Sequence, residues 1–405
     1  MIKKGNILLA SAIVGMTMLF SGCGADMEAV VPLLGTPIDS ADSSEVQESI
    51  PTEDQEEETK DKQEASESAV SSQESAETET SEIIPEEKLP EITTITISAA
   101  GDCSLGNHHE QDYYGSFYQA YDKAEDPGYF FENVRSIFEA DDMTIVNLEG
   151  VFTYSDVRQE ERTYNIKAEP HYVDILTAGD VEAVSMGNNH RLDYGVSGSK
   201  DTVETVEGAG IVYAYDNIVG VYETKGIKIG YVSVNEVAWG LGCNKLISEG
   251  IAKLKEQEVD LIIACCHWGI EKDNYTEAYQ NELGRFCIDE GADLVLGHHP
   301  HVLQGIEEYN GKYIIYSLAN FCFGANRNPA DKDTMIFQQT FTFVDGEKQD
   351  TKDAKIIPCS VSSISGRNNF QPTPLEGEEA ARVVERLNTY SKEYGVVIGE
   401  DGTLQ

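Results

Sequence analysis

The chain is short of cationic side chains. Only 29 Lys and Arg stand against 72 Asp and Glu in 405 residues, a formal net charge of −43. A surface this acidic has no basic footprint to neutralise phosphates, which excludes a nucleic-acid partner. It also repels anionic ligands at long range, so a phosphate-like ligand would need a local cation such as a bound metal. A disulfide framework is lacking too. Beyond Cys23 there are seven cysteines, at 103, 243, 265, 266, 287, 322 and 359. That odd number sits mostly in apolar runs, which suits small buried hydrophobes better than bridges. An apolar run of transmembrane length is also missing from the N-terminus, where residues 7–20 after Lys3 and Lys4 have only signal-peptide length.

The tripeptide after that short run is specific. Ser21-Gly22-Cys23 resembles the lipobox of bacterial lipoproteins, which implies cleavage before Cys23 and lipidation of its thiol. Lipid chains would anchor the protein outside the cytoplasmic membrane. Residues 24–90 then hold 20 acidic residues, three lysines, no arginine and no aromatic residue. Such a composition cannot bury enough apolar surface to offset ordering, and predicts a self-repelling spacer. A coil of that length spans roughly 45 Å before charge repulsion extends it. The expected organisation is therefore a signal peptide over 1–22, an acidic linker over 23–91 and a folded domain over 92–405.

In the domain, strand-like and helix-like segments alternate, which predicts an α/β architecture. Strands are expected at 94–98, 143–146, 181–185, 227–234, 259–266, 292–296, 313–317, 334–344 and 354–363. Helices are expected at 130–139, 172–178, 199–207, 247–256, 279–289 and 378–394. Five polar motifs each follow a strand: Asp102, Asn147/Glu149, Asn189/His190, His267, and Gly297-His298-His299-Pro300-His301. Ligands of α/β sheets collect beyond such strand ends.

Three of the eight histidines lie in the last motif. Carboxylate, amide and imidazole donors suit a borderline divalent ion such as Mn, Fe or Zn. A carboxylate bridging two ions would let the pair generate a hydroxide nucleophile and clamp a tetrahedral anion. Taken singly, Asp102 also fits a helix N-cap. Asn147 fits a turn, Trp268 and Tyr316 fit packing, Lys167 fits the surface, and Glu271 fits a solvated loop and a site carboxylate equally.

The ordered set resembles the CapA family. It comprises Gly101-Asp102, Asn147-Leu148-Glu149-Gly150, Asn188-Asn189-His190 with Leu192-Asp193-Tyr194-Gly195, His267-Trp268-Gly269-Ile270-Glu271, the triple-His run, and Tyr316-Ser317-Leu318-Ala319-Asn320-Phe321. The family is linked to poly-γ-glutamate capsule synthesis and related to calcineurin-like metallophosphatases. The resemblance covers residues 94 to about 325 and implies a four-layer αββα sandwich, metallophosphatase-like, with two sheets face to face. It implies Asp102 on a first metal, Glu149 as the bridging carboxylate, and Asn189, His267 and His299 on a second metal. His301 would serve the first metal and His190 would be the general acid. Asp193 fits either a cap of the next helix or a carboxylate that orients His190. His298 falls in a variable slot and receives no role. Two departures stand out. Ser104 lies where the phosphatase pattern has a histidine, and Glu149 replaces an aspartate. The expectation is one or two divalent ions in a metal-dependent, phosphoesterase-like centre. Partners would be the membrane through its lipid anchor, capsule synthase or export proteins, and an anionic polymer or phosphoester. A non-catalytic polymer-binding subunit is the remaining alternative.

Overall fold

A computed structural model describes residues 89–405. The expected signal peptide, Cys23 and nearly all of the acidic linker lie outside the described residues. Among the described residues no helix is long and apolar enough to cross a membrane.

The chain forms two large sheets. In the first, Ile92–Ser104 runs parallel to Met143–Leu148, followed outward by Ala183–Ser185 and Val212–Ala214. On its other side Asp333–Val344 and Asp353–Ser360 extend the sheet antiparallel, and Asn320–Phe323 pairs with its C-terminal end. The second sheet has a parallel centre of Ile227–Asn235, Leu261–His267, Leu294–His298 and Lys312–Ile315, with antiparallel strands Gly220–Thr224 and Ile306–Tyr309 at its edges.

Alternation along the strands decides how the sheets pack. From the first sheet Ile95, Ile97, Ala99, Met143 and Ile145 join one buried cluster with Ile229, Ile263, Cys265, Leu294 and Leu296 of the second. That cluster lies between the sheets. The opposite face of the first sheet, with Val146, Leu148 and Val184, is covered by Phe130, Phe131, Phe138, Ile175 and Val206 from helical segments. The opposite face of the second, with Val232, Ala264 and Val295, is covered by Ile247, Ile251, Leu254, Leu283 and Cys287 from helices Cys243–Glu256 and Ala278–Glu290. The fold is therefore the four-layer αββα sandwich of the metallophosphatase type. All seven described cysteines are free and buried.

Several expected elements differ at their bounds. The helix expected over 130–139 is a 3-10 turn, Pro127–Phe130, and a short helix, Arg135–Phe138, because the backbone leaves helical geometry at Phe131 (φ −110°, ψ 8°). The apolar side chains keep helical spacing across this break, so periodicity alone does not reveal it. The segment 172–178 likewise divides into Pro170–Val173 and Asp174–Ala178. The closing helix ends at Tyr390, and Arg382 and Arg386 tie it to Asp333.

Candidate metal centre

All five polar motifs meet at the C-terminal edge of the paired parallel strands. Strict alternation would turn Asp102 outward with Ala100, since Ala99 faces the inter-sheet core and Ala100 the outer cluster. A register shift between Ala100 and Asp102 adds one residue and turns the carboxylate inward. Gly101 occupies the bulge. A Cβ there would lie 1.9 Å from the carbonyl oxygen of Ala319, so only glycine fits. In the second sheet His267 and His298 are Cα partners at the ends of adjacent strands. The chain then turns through His299 and His301, both in the left-handed region (φ 96° and 59°). Non-glycine residues held there are strained, a condition concentrated at functional sites.

The Asp102 carboxylate is fully buried and surrounded. Its Oδ1 accepts from Asn147 Nδ2 (2.9 Å) and lies 3.3 Å from His298 Nδ1. Its Oδ2 accepts from the His299 main-chain N–H (3.3 Å) and lies 3.1 Å from His301 Nδ1. Asn147 is itself held by Asn188, whose Nδ2 donates to its Oδ1 (3.1 Å). Glu149 differs. It is equally buried, and neither of its oxygens has a hydrogen-bond partner among the described residues. Three imidazole Nε2 atoms surround its Oε1: His301 at 3.7 Å, His190 at 3.8 Å and His267 at 3.8 Å.

His267 Nε2 meets Asn189 Oδ1 at 2.9 Å, and its ring lies 4.7 Å from that of His299. His190 Nδ1 meets Asp193 Oδ2 at 2.7 Å. Asp193 is buried, accepts the Ile166 N–H (2.7 Å) and pairs with Arg162 Nη1 (3.0 Å). Its partners therefore fix the ring of His190, the arrangement by which a carboxylate orients a functional imidazole.

Burial and mutual charge set the protonation of the cluster. Burial pushes the Glu149 carboxyl up to about 7, with His301 acting against it and Asp102 adding to the rise. Burial also works to raise Asp102, but contacts with His298 and His301 outweigh it and hold that carboxyl well below the usual range. For His301, burial opposes the charged ring, yet Glu149 and Asp102 raise it to about 9. Burial, reinforced by His301, lowers His299 to about 4. His267 is also held well below its ordinary value by burial and then by His299. In His190 the Asp193 contact and the Glu149 charge overcome burial and raise the ring.

These residues fit a divalent cation. Glu149, His299 and His301 each offer one ligand atom, and the three atoms lie within 4.8 Å of one another. Both Glu149 oxygens and the Nδ1 of His299 are buried without partners. The Nδ1 atoms of His298 and His301 lie close to Asp102 but are not aligned to hydrogen-bond to it. Buried polar groups left like this are costly unless something satisfies them, and a cation would satisfy the Glu149 carboxylate and the neutral His299 ring together while displacing the proton from His301.

The structure thus brings Asp102, Glu149, Asn189, His190, His267, His299 and His301 together. It groups His299 with His301 around Glu149, where the sequence pattern assigns them to different ions. Ser104 is turned away, its Oγ donating to the Glu149 carbonyl (2.8 Å). Lys167 pairs with Asp156 (2.8 Å). Glu271 is exposed, and His108 and His109 meet Tyr164 and Asn165. Three residues have no place in the site expected from sequence. His298 touches Asp102, Arg162 holds Asp193 and donates to the Asn189 carbonyl, and Asn188 steadies Asn147. The Asn188-Asn189 doublet is a usable signal. Arg162 offers none, because it lies in the loop between strands Val151–Phe152 and Ile166–Ala168 and does not directly follow a strand.

A family model described as bacterial capsule synthesis protein PGA_cap matches residues 96–325. The PGA biosynthesis protein CapA of Bacillus subtilis (strain 168) is 28% identical over 323 residues, 73% of this chain and 75% of that protein. The capsule biosynthesis protein CapA of Bacillus anthracis is 27% identical over 272 residues, 60% of this chain and 64% of that protein. A crystal structure of a hypothetical protein from Thermus thermophilus aligns at 14% identity and a TM-score of 0.38, over 65% of this chain and 98% of that one, too low to bear on the fold.

Proposed function

The chain belongs to the bacterial capsule synthesis protein family PGA_cap, and from that premise we propose that it acts in the synthesis, export or anchoring of a poly-γ-glutamate-like surface polymer. The observation that carries this reading is the coincidence of the family match, residues 96–325, with the span that holds every residue of the buried centre. The protein works outside the cytoplasmic membrane, held by lipid on Cys23, with the acidic segment as its spacer. Its centre holds a divalent ion, Mn, Fe or Zn, which supplies Lewis-acid chemistry when bound. Glu149, His299 and His301 bind it, and His190, held by Asp193, manages a proton at its Nε2. Deleting the gene should strip polymer from the cell surface, and a plasmid copy should restore it. Unchanged polymer sinks the capsule reading. Cys23→Ala should release the protein into the medium, and continued membrane retention would rule out the lipid anchor.

The His190–Asp193 pair favours a second reading, a phosphoesterase acting on a cell-envelope phosphoester. Hydrolysis of an aryl phosphate by the manganese-loaded protein, lost in His190→Ala, would support it. No turnover in the loaded wild type would leave the accessory role alone.

A further inference from the structure

We propose that the cavity between helix Phe117–Lys123 and the loop over residues 362–371 holds a carboxylate-bearing polyamide chain, with Lys123 and Arg367 as the cations that pair with its carboxylates. The nature of the polymer rests on the capsule reading above. The cavity is built from none of the residues of the metal centre, and partly from a loop beyond the family match at 96–325.

The cavity, of about 180 Å³, departs from the rest of the molecule in charge. The chain has a formal net charge of −43, yet no Asp or Glu lines this cavity, whereas Lys123 and Arg367 both do. Among the described residues neither cation pairs with a carboxylate. They are free for an external anion, and they offset locally the repulsion that the acidic surface exerts on one. Between them Ala120, Ala124, Tyr129 and Phe370 form an apolar wall. Gln119 Oε1 accepts the Gly115 N–H (3.0 Å), which leaves its Nε2 to donate to a ligand carbonyl. Carboxylates carried on methylenes along an amide backbone match that lining, and a bare phosphate would leave the apolar wall unused. The loop is stiff. Asn369 Oδ1 accepts the Ser363 N–H (3.0 Å), Asn368 Nδ2 donates to the Phe323 carbonyl (3.1 Å), and Lys332 Nζ donates to the carbonyls of Ser365 (2.9 Å) and Arg367 (3.1 Å). Phe370 is buried in the left-handed region (φ 60°), its ring 5.2 Å from that of Phe117 at the start of the helix. Such strain persists only where the surroundings over-determine it. The backbone positions of the two cations are thereby fixed relative to each other, which lowers the ordering cost of binding. Glu125, Asp126 and Glu132 line a neighbouring cavity beyond Lys123 and Tyr129, so an anionic chain leaves on the opposite side.

The full-length protein should bind a fluorescently labelled γ-linked glutamate oligomer, read by anisotropy, and lose affinity as salt is raised. Lys123→Ala combined with Arg367→Ala should weaken binding about tenfold, and Lys123→Glu combined with Arg367→Glu should weaken it further. Lys392→Ala, which removes an exposed lysine outside the cavity, should bind as the wild type does. Both cavity side chains are exposed, so the variants should also melt as the wild type does. Undiminished binding in the double alanine variant, or an equal loss in Lys392→Ala, would overturn the inference and leave the capsule reading intact. So would displacement by inorganic phosphate at matched ionic strength, which marks a simple anion site. Loss of binding in a chelator would place the polymer at the metal centre and overturn it too. No binding by the wild type would overturn it as well, with the capsule reading still judged by the surface polymer of the deletion strain.

Discussion

The two edges of the paired parallel sheets use acidic residues in opposite ways. At the N-terminal edge, Asp142, Glu182, Asp260 and Asp293 each come immediately before a strand and accept the N–H of a residue in the neighbouring strand: Thr96 (3.0 Å), Thr144 (2.7 Å), Lys228 (2.8 Å) and Ile262 (3.0 Å). Strand beginnings leave main-chain donors unpaired, and a carboxylate satisfies them. At the C-terminal edge the strands present carbonyl oxygens, which repel a carboxylate. Asp102 and Glu149 lie there among imidazoles instead. An acid at the first edge completes the sheet, while the buried pair at the second is set among imidazoles. The same residue type is structural or functional according to which end of the strand carries it.

The largest effect is expected where the functional edge closes between the sheets. Ser185 Oγ and Ser233 Oγ meet there at 2.7 Å, and the Gly187 N–H donates to Ser233 Oγ (2.8 Å). A Cβ on Gly187 would lie 2.6 Å from the main chain and side chain of Ser233. Gly187→Ala should lower unfolding free energy by about 3 kcal/mol in urea titration and weaken metal binding, because it forces the sheets apart. Gly208→Ala, whose Cβ meets nothing within 4 Å, should change stability by less than about 1 kcal/mol. Wild-type stability in Gly187→Ala would show that the edges are not locked together.

Much of this arrangement was legible in the sequence, for a physical reason. A polar residue directly after a β-like run marks the C-terminal edge, so Asp102, Glu149, Asn189, His267 and His299 are weak signals singly and legible as a series. The α/β order followed from the alternation of periods. The bulge that turns Asp102 inward was not legible, because it depends on the close approach of Ala319 to Gly101. His298 fills a variable slot in the family pattern, yet strand alternation with Leu294 and Leu296 aims it between the sheets. The short strands Val212–Ala214 and Asn320–Phe323 carry too few residues for a periodic signal. The acids preceding strands were visible, but nothing in the sequence distinguished them from ordinary surface charge.

A smaller loss is expected at the N-terminal edge. Asp293 accepts the Ile262 N–H and pairs with Lys312 (3.1 Å) and Lys348 (2.5 Å). Asp293→Ala leaves a buried N–H without an acceptor and should cost about 2 kcal/mol. Metal affinity, read by calorimetry, should not change. A fall in affinity would mean that the edges communicate, and the comparison would then describe one coupled unit.

The smallest effect separates the edges by pH. Burial, with a contribution from Asp141, raises the Glu182 carboxyl to about 7 even though it accepts the Thr144 N–H. Burial likewise raises Asp141 to about 6. A carboxyl whose folded value lies above its unfolded one binds its proton more tightly when folded. The stability this contributes is fully present below about pH 4, the unfolded range, and is lost as pH rises through 6 to 7. The wild type should therefore melt a few degrees lower at pH 7.5 than at pH 5. Glu182→Gln keeps an oxygen for Thr144 and does not ionise, so it should reduce that difference. An unchanged difference in the variant would place the titration elsewhere, and the cluster around Glu149 would be the first place to look.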